Sequence, residues 1–406
     1  MAKLIRDKAL NLFPAFRYPN YRIFFIAQII SLTGTWMQQV SQGYLAFQLT
    51  HSAFWVGIVA ATANLPTTLF SLIGGTIVDR FPKQKVLRVT QTLQFIVATT
   101  LGILVVSGHI NLWSLMVMVF LLGLVNAVDQ PARITMIVEL VEREHLHAAT
   151  AMNMSIFNSA RIIGPAIAGW LIYAFGIGWA FLLNGLSFLA PLIAYSFIKF
   201  RPFIKKPHLG TWNSIKEGVN YARHHPLIKF LLLYLTVIAI FGWSYTTMLP
   251  VIADQIFHKD AAGLGLLFSA AGAGTVVGAI TMSAYSRRLN PKKLILTGGL
   301  IFSIALFIFS YQSVYYLALG LLFFAGFGMA YQNSTIQATI QRSVSDHVRG
   351  RVASIQSLMM LGMTPIGSFQ IGLISEHFGT QIAVRIGAVM ILLAAIILYY
   401  LSPKKH

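Results

Sequence analysis

Along almost the whole chain, apolar runs long enough to cross the ~30 Å hydrocarbon of a bilayer alternate with short polar breaks. The first six fall at about Phe24–Phe47, Ala53–Val78, Val86–Ser107, Leu112–Gln130, Ala148–Phe175 and Trp179–Phe200. Six more follow at about Leu227–Ile252, Gly263–Tyr285, Leu294–Ser310, Val314–Ile336, Ala353–Glu376 and Ala383–Leu401. Runs of this length satisfy their own backbone only as helices, so the pattern predicts an all-α polytopic membrane protein with 12 transmembrane helices. Between the two sets, Arg201–Pro226 is polar, basic and broken by Pro202, Pro207 and Pro226. The expected organisation is a six-helix bundle over 1–200, a linker over 201–226 and a second six-helix bundle over 227–406.

Composition agrees with this picture. With 56% hydrophobic and 10% charged residues, the chain departs far from a soluble globule, which carries about 25% charge. A net charge of +19 would suggest nucleic acid in a soluble protein, but here 27 of the 30 Lys and Arg residues fall on one side of the predicted topology. Lys259 and Arg385 lie on the other side, and Arg161 lies inside a span. The bias predicts that both termini are cytoplasmic, that the basic loops attract anionic lipids at that face, and that nucleic acid is not a partner.

Without cysteine, the chain can form no disulfide, thiolate metal site or cysteine nucleophile. The histidines fall in loops or at span ends, and adjacent His224 and His225 read as a solvated linker feature, so no metal site is expected. No Walker sequence occurs, and neither built-in ATP hydrolysis nor a cofactor is expected. The basic segment Met1–Arg22 lacks a continuous apolar core and a cleavage site, and reads as an uncleaved amphipathic lead-in lying on the membrane.

The two halves repeat. A shift of 203 superposes Gly123 on Gly326, Ala127 on Ala330, Gly164 on Gly367, Gly169 on Gly372 and Phe175-Gly176 on Phe378-Gly379. Near the second span the shift becomes 208, placing Gly57 on Gly265 and Arg80 on Arg288. Between the second and third spans, the hinge Gly74–Arg88 packs an acid and four bases. Gly75, Asp79, Arg80 and Lys83 there resemble the signature loop G-x-x-x-D-R-x-G-R-K of the major facilitator superfamily, with Pro82 standing where that pattern has glycine. A small residue at Gly75 would let two helices approach closely, and Asp79 could cap a helix or pair with a base. The hinge is then either a latch between two halves or a solvated basic turn.

The resemblance implies the major facilitator fold, two pseudo-symmetric six-helix bundles with a substrate site at their interface. In the fifth span, Gly164, Pro165 and Gly169 resemble the superfamily's exporter-associated G-P-x-x-G element, with one extra residue before Gly169. Such a segment acts as a hinge or seal, or simply permits close packing. The stretch Gly123–Arg133, with Leu140-Val141 and Ala151-Met152-Asn153, resembles the branch of enterobactin, macrolide and multidrug exporters. That branch implies export of a siderophore- or drug-like molecule against inward proton flow, by a monomer in a bacterial inner membrane. The family's fourth-helix arginine would fall near Val119 or Phe120, where no base stands.

Charge inside a span is costly and points to function. Arg161 lies about 13 residues into the fifth span, roughly 20 Å deep at 1.5 Å per residue. With Asn158 and Pro165 on its face, it either binds an anionic group in a central cavity or is neutralised by helix carbonyls or by Asp129. Asp129, one turn before Arg133 and within reach of Arg80 or Lys83, is either part of the latch or a proton-carrying carboxylate.

In the first span, Gln28, Ser31, Thr35, Gln38 or Gln39, and Gln42 share one face, as a cavity wall or as helix glue. Trp243, Tyr245, Asn158 and Gln332 complete the expected lining, Gln332 being the repeat partner of Asp129. The expectation is a secondary active transporter and not an enzyme. An importer of a similar ligand and a lysophospholipid flippase are the rivals within that class, with a membrane receptor or intramembrane enzyme outside it.

Overall fold

A computed structural model describes residues 13–198, 220–285 and 290–401, and among them every regular element is helical. The first six spans are Pro19–Thr50, Ala53–Arg80, Lys83–Val106, Leu112–Leu140, Leu146–Phe175, and a sixth made of Ile177–Ser187 and Leu189–Phe197. The seventh is made of Pro226–Val237 and Tyr245–Gln255, joined through a π turn at Ile238–Gly242. Ala261–Tyr285, Pro291–Phe309 and Tyr315–Ser343 follow, then an eleventh of Asp346–Leu361 and Thr364–Phe378, then Thr380–Leu401.

Among the described residues, 11 spans are long and apolar enough to cross a membrane. The other helix, Pro19–Thr50, has ample length at 32 residues, and its glutamines lower its hydropathy. Most of the predicted lead-in and linker lies outside the described residues. From Phe13 onward the chain is folded onto the bundle, with Ala15 buried and the Tyr21 hydroxyl donating to the Ala149 carbonyl at 2.8 Å.

Several helices depart from the hydropathy pattern, the fourth, seventh and eleventh among them. The fourth continues past Gln130 to Leu140 with Pro131 inside it. Proline supplies no N–H to the carbonyl one turn back, that of Ala127. Gly74 of the second span lies against this carbonyl: a Cβ there would stand 2.0 Å from the Ala127 oxygen. The close approach expected at Gly75 therefore falls one residue earlier, since neighbouring residues point about 100° apart on a helix. A Cβ on Gly75 would meet nothing within 4 Å. The seventh and eleventh spans, continuous in hydropathy, are each interrupted, at Ile238–Ser244 and at Gly362–Met363. Pro365 starts the second piece of the eleventh span, and π turns and prolines are the usual causes of such breaks.

The repeat persists in backbone detail. Gly176 and Gly379 end their helices at φ +89° and +90°. Gly164 packs its fifth span on the first, where a Cβ would meet the Thr33 oxygen at 2.8 Å. Gly367 packs the eleventh on the seventh, where a Cβ would meet the Ile240 oxygen at 2.6 Å.

The chain forms two compact units. One takes the chain up to Ser41 and from Leu69 into the linker; the other takes Gln42–Thr68 and everything after the linker. The hairpin around His51, which sequence places in the first bundle, thus packs with the second unit. There, a Cβ on Gly57 would stand 2.6 Å from the Ser368 oxygen and 2.8 Å from the Gly372 Cα. At the hairpin's tip, the Ser52 hydroxyl and the Phe54 N–H both donate to Glu376 Oε2, at 3.0 and 3.1 Å. A carboxylate from the eleventh span therefore caps the second span's N-terminus. At the repeat position, Asp260 caps its own helix through the Gly263 N–H at 3.0 Å.

Gly74→Val drives side-chain carbon into a backbone carbonyl and should cost on the order of 3 kcal/mol or prevent folding. Gly75→Ala should melt like the native chain. Thermal melts and size-exclusion profiles of the two variants in detergent check the pair.

Candidate functional site

The polar centre of the first unit is Asp129, which is 0% exposed. Its Oδ1 accepts from the Thr90 hydroxyl at 2.7 Å and from Gln91 Nε2 at 2.8 Å. Its Oδ2 lies 2.6 Å from Nε of Arg133, one helical turn on. From Gln91 the network runs to Gln94 Oε1, and Gln94 donates to Asn126 Oδ1 at 2.7 Å. On the other side, Arg133 Nη1 donates to Gln28 Oε1 at 3.3 Å, and Gln28 donates to the Tyr195 hydroxyl at 3.4 Å. The Tyr195 carbonyl, in the last turn of the sixth span, accepts from Gln84 and Arg88 at 2.9 and 3.1 Å. One carboxylate thereby ties together the first, third, fourth and sixth spans.

The signature hinge divides. Lys83 pairs with Glu139 on the fourth helix at 2.5 Å. Asp79 and Arg80 are exposed and make no ion pair among the described residues. Neither Arg80 nor Lys83 reaches Asp129.

A second group lies where the first and fifth spans meet. The Arg161 guanidinium carbon is 5.7 Å from the centroid of the Trp36 ring, within cation–π range. Trp36 makes an edge-on contact with Phe157, centroids 5.5 Å apart. Arg161 and Asn158, one turn apart, are half-buried, and Gln39, one turn from Trp36, is exposed. The Asn158 amide donates to the Met154 carbonyl, which leaves its Oδ1 for a ligand. Gly164 and buried Pro165 bring the fifth span onto the first just beyond Arg161, and Gly169 is buried further along. Because Pro165 has no N–H, the Arg161 carbonyl loses its helical donor as well.

The glutamine stripe is split. Gln28 belongs to the Asp129 network, and buried Gln38 accepts from Asn184 of the sixth span at 2.5 Å. Thr35 is half-buried and returns its hydroxyl to the Ser31 carbonyl. Gln42, half-buried, lies in the second unit.

In that unit, Tyr245 is buried against Phe302, and fully buried Gln332 accepts from the Tyr234 hydroxyl at 2.5 Å. In this structure Gln28, Gln38, Tyr245 and Gln332 are buried in contacts between helices. Trp243, half-buried beside the π turn, stays partly accessible.

Sequence reading missed Thr90, Gln91, Gln94 and Tyr195. The first three carried a signal, being polar residues at spacings of one, three and four in an apolar span. It also missed Glu139 and Glu376, which act across long sequence separations.

Residues 11–405 match a family described as transmembrane secretion effector. The staphyloferrin A transporter of Staphylococcus aureus is 23% identical over 386 residues, covering 94% of this chain and 96% of that protein. The enterobactin exporter of Escherichia coli is 23% identical over 372 residues, covering 89% and 87%. Among solved structures, a bacterial homologue of the iron transporter ferroportin, in an inward-facing state, superposes with a TM-score of 0.77 at 16% identity, covering 95% of this chain and 99% of that one. A bacterial homologue of the human lysosomal transporter Spinster gives 0.78 at 13%, covering 94% and 96%.

Removing one partner of a buried ion pair strands the other charge and costs about 3–5 kcal/mol. Asp129→Asn and Arg133→Gln should each lower the melting temperature sharply, and the double variant should recover part of the loss. Melts of all four proteins give the coupling, and strictly additive losses would contradict the pairing.

Proposed function

The chain belongs to the transmembrane secretion effector family of major facilitator transporters, and from that premise we propose that it exports a siderophore-like, anionic amphipathic molecule in exchange for protons, by alternating access. The observation that carries this reading is the Arg161 group. A cation inside a span is tolerated only toward protein or water, and an exposed amide such as Gln39 cannot face lipid. Arg161, Trp36, Gln39 and Asn158 therefore offer a wetted wall of one guanidinium, one indole and two amides. The planar guanidinium fork matches carboxylates and catecholate oxygens, and the indole gives a flat surface for an apolar or aromatic body. The names of two relatives, a staphyloferrin A transporter and an enterobactin exporter, support the substrate class, and the second supports the direction.

Within the second unit, the candidate contact is Trp243 beside the interrupted seventh span, since broken helices are where transporters place their sites. Asp129–Arg133 and Lys83–Glu139 stiffen the first unit at the end that carries the signature hinge. Asp79 and Arg80, unpaired here, are the hinge's free charges and form the latch in another state of the cycle. Asp129 is the carboxylate placed to exchange a proton, through its contact with Arg133. The protein acts as a monomer in a bacterial inner membrane with both termini in the cytoplasm.

In liposomes with an imposed pH gradient, a hydroxycarboxylate and a catecholate chelator should be transported, and a neutral drug of similar size should not. Arg161→Ala should reduce the anion flux at least about tenfold, the loss of roughly 1.4 kcal/mol of binding, with expression intact. Unchanged flux would rule out the binding role. Asp129→Asn, compared at equal folded protein, should lose the gradient dependence, and retained dependence would place the proton elsewhere.

A further inference from the structure

On the first unit, the ends of the second and third helices and the middle of the fourth enclose a groove of about 420 Å³. Its walls are aliphatic or aromatic, with Phe81, Val89 and Leu93 at the rim and Leu124 and Val125 behind. Two polar residues interrupt them. Thr90 forms part of the floor, but its hydroxyl is already donated to Asp129 Oδ1 at 2.7 Å and lies 3.1 Å from the Leu87 carbonyl. The floor therefore offers no spare donor. Lys85 lies at one end, is exposed, and makes no hydrogen bond or ion pair among the described residues. Its neighbours are committed, Lys83 to Glu139 and Arg88 to the Tyr195 carbonyl.

The shape and chemistry select the occupant. Val89 and Leu93 are 51% and 42% exposed on the membrane-spanning third helix, a surface that faces hydrocarbon, and Phe81, in the turn before it, is 50% exposed. From Lys85 to Leu93 the groove follows the third helix for roughly 12 Å at 1.5 Å per residue. A slot with no free hydrogen-bonding group rejects a water-soluble solute, whose polar groups would lose their hydration. A single unpaired ammonium at its polar end calls for an anion. Only an amphiphile meets both demands.

We propose that this groove is a binding site for an anionic phospholipid, with one acyl chain along Val89, Leu93 and Leu124 and the headgroup phosphate on the Lys85 ammonium. The bound chain also keeps water from the outer side of Thr90, and so from the buried Asp129–Arg133 pair behind it. The site is independent of the solute carried and of the direction of transport.

Native mass spectrometry of the purified protein, titrated with phosphatidylglycerol or with phosphatidylcholine of the same acyl chains, tests the assignment. The native chain should retain one phosphatidylglycerol in preference to phosphatidylcholine by about fivefold, the effect of one lysine near an anionic headgroup. Lys85→Gln should bring that ratio close to one while a lipid still binds. Val89→Trp, or Leu93→Trp should the first not fold, fills the slot from its rim and should remove the bound lipid. Phosphatidylglycerol preference unchanged in Lys85→Gln, or lipid retained in the tryptophan variant, would overturn the proposal. Displacement of the lipid by glycerol phosphate alone would also overturn it, by showing that the acyl chain contributes nothing.

Discussion

Hydrocarbon offers no hydrogen bonds, so every polar group that this chain carries into the bilayer must find its partner in the chain itself or in water held by it. Asp129 is where that constraint is most severe. Fully buried, it accepts two hydrogen bonds and pairs with Arg133, and the partners of those partners reach into four spans. The first unit is packed around this requirement. Gln28 is oriented by Arg133, Tyr195 by Gln28, and the carbonyl of Tyr195 draws in Gln84 and Arg88. Outside that network, Gln39 of the first span is exposed, and Asn158 and Arg161 of the fifth span are half-buried.

Backbone proximity does the remaining work. Wherever spans approach most closely, a glycine faces a carbonyl: Gly74 on Ala127, Gly164 on Thr33, Gly367 on Ile240. The first of these follows from Pro131, which frees the Ala127 carbonyl and gives Gly74 something to lie against. In the second unit the His51 hairpin is held by the Gly57–Gly372 contact and by the carboxylate of Glu376.

The spans and the twofold repeat were legible because they rest on composition and on glycines whose positions the repeat preserves, down to the matched left-handed caps at Gly176 and Gly379. What a polar residue does once inside was not legible. A three- and four-residue spacing places Gln28, Gln38 and Gln42 on one face, but only the packed structure reveals that Asn184 comes to meet Gln38 and that Arg133 comes to meet Gln28. Hydropathy is equally blind to a helix break: Ile238–Gly242 stays apolar while its backbone changes pitch. The assignment of close packing to Gly75 failed for a related reason, since a motif names a neighbourhood and the neighbouring helix's carbonyl decides which of two adjacent glycines it needs.

Because the native chain has no cysteine, single cysteines report solvent access without background. In the proposed function the accessible polar groups of the first unit bind the carried anion, while buried Gln28 and Gln38 hold helices together. Cysteines at 39 and 158 should react with a membrane-impermeant thiol reagent in opened vesicles and be protected by an anionic chelator, while those at 28, 38 and 332 should not react. Reaction at 28 or 38 that the chelator blocks, with 39 and 158 silent, would contradict it.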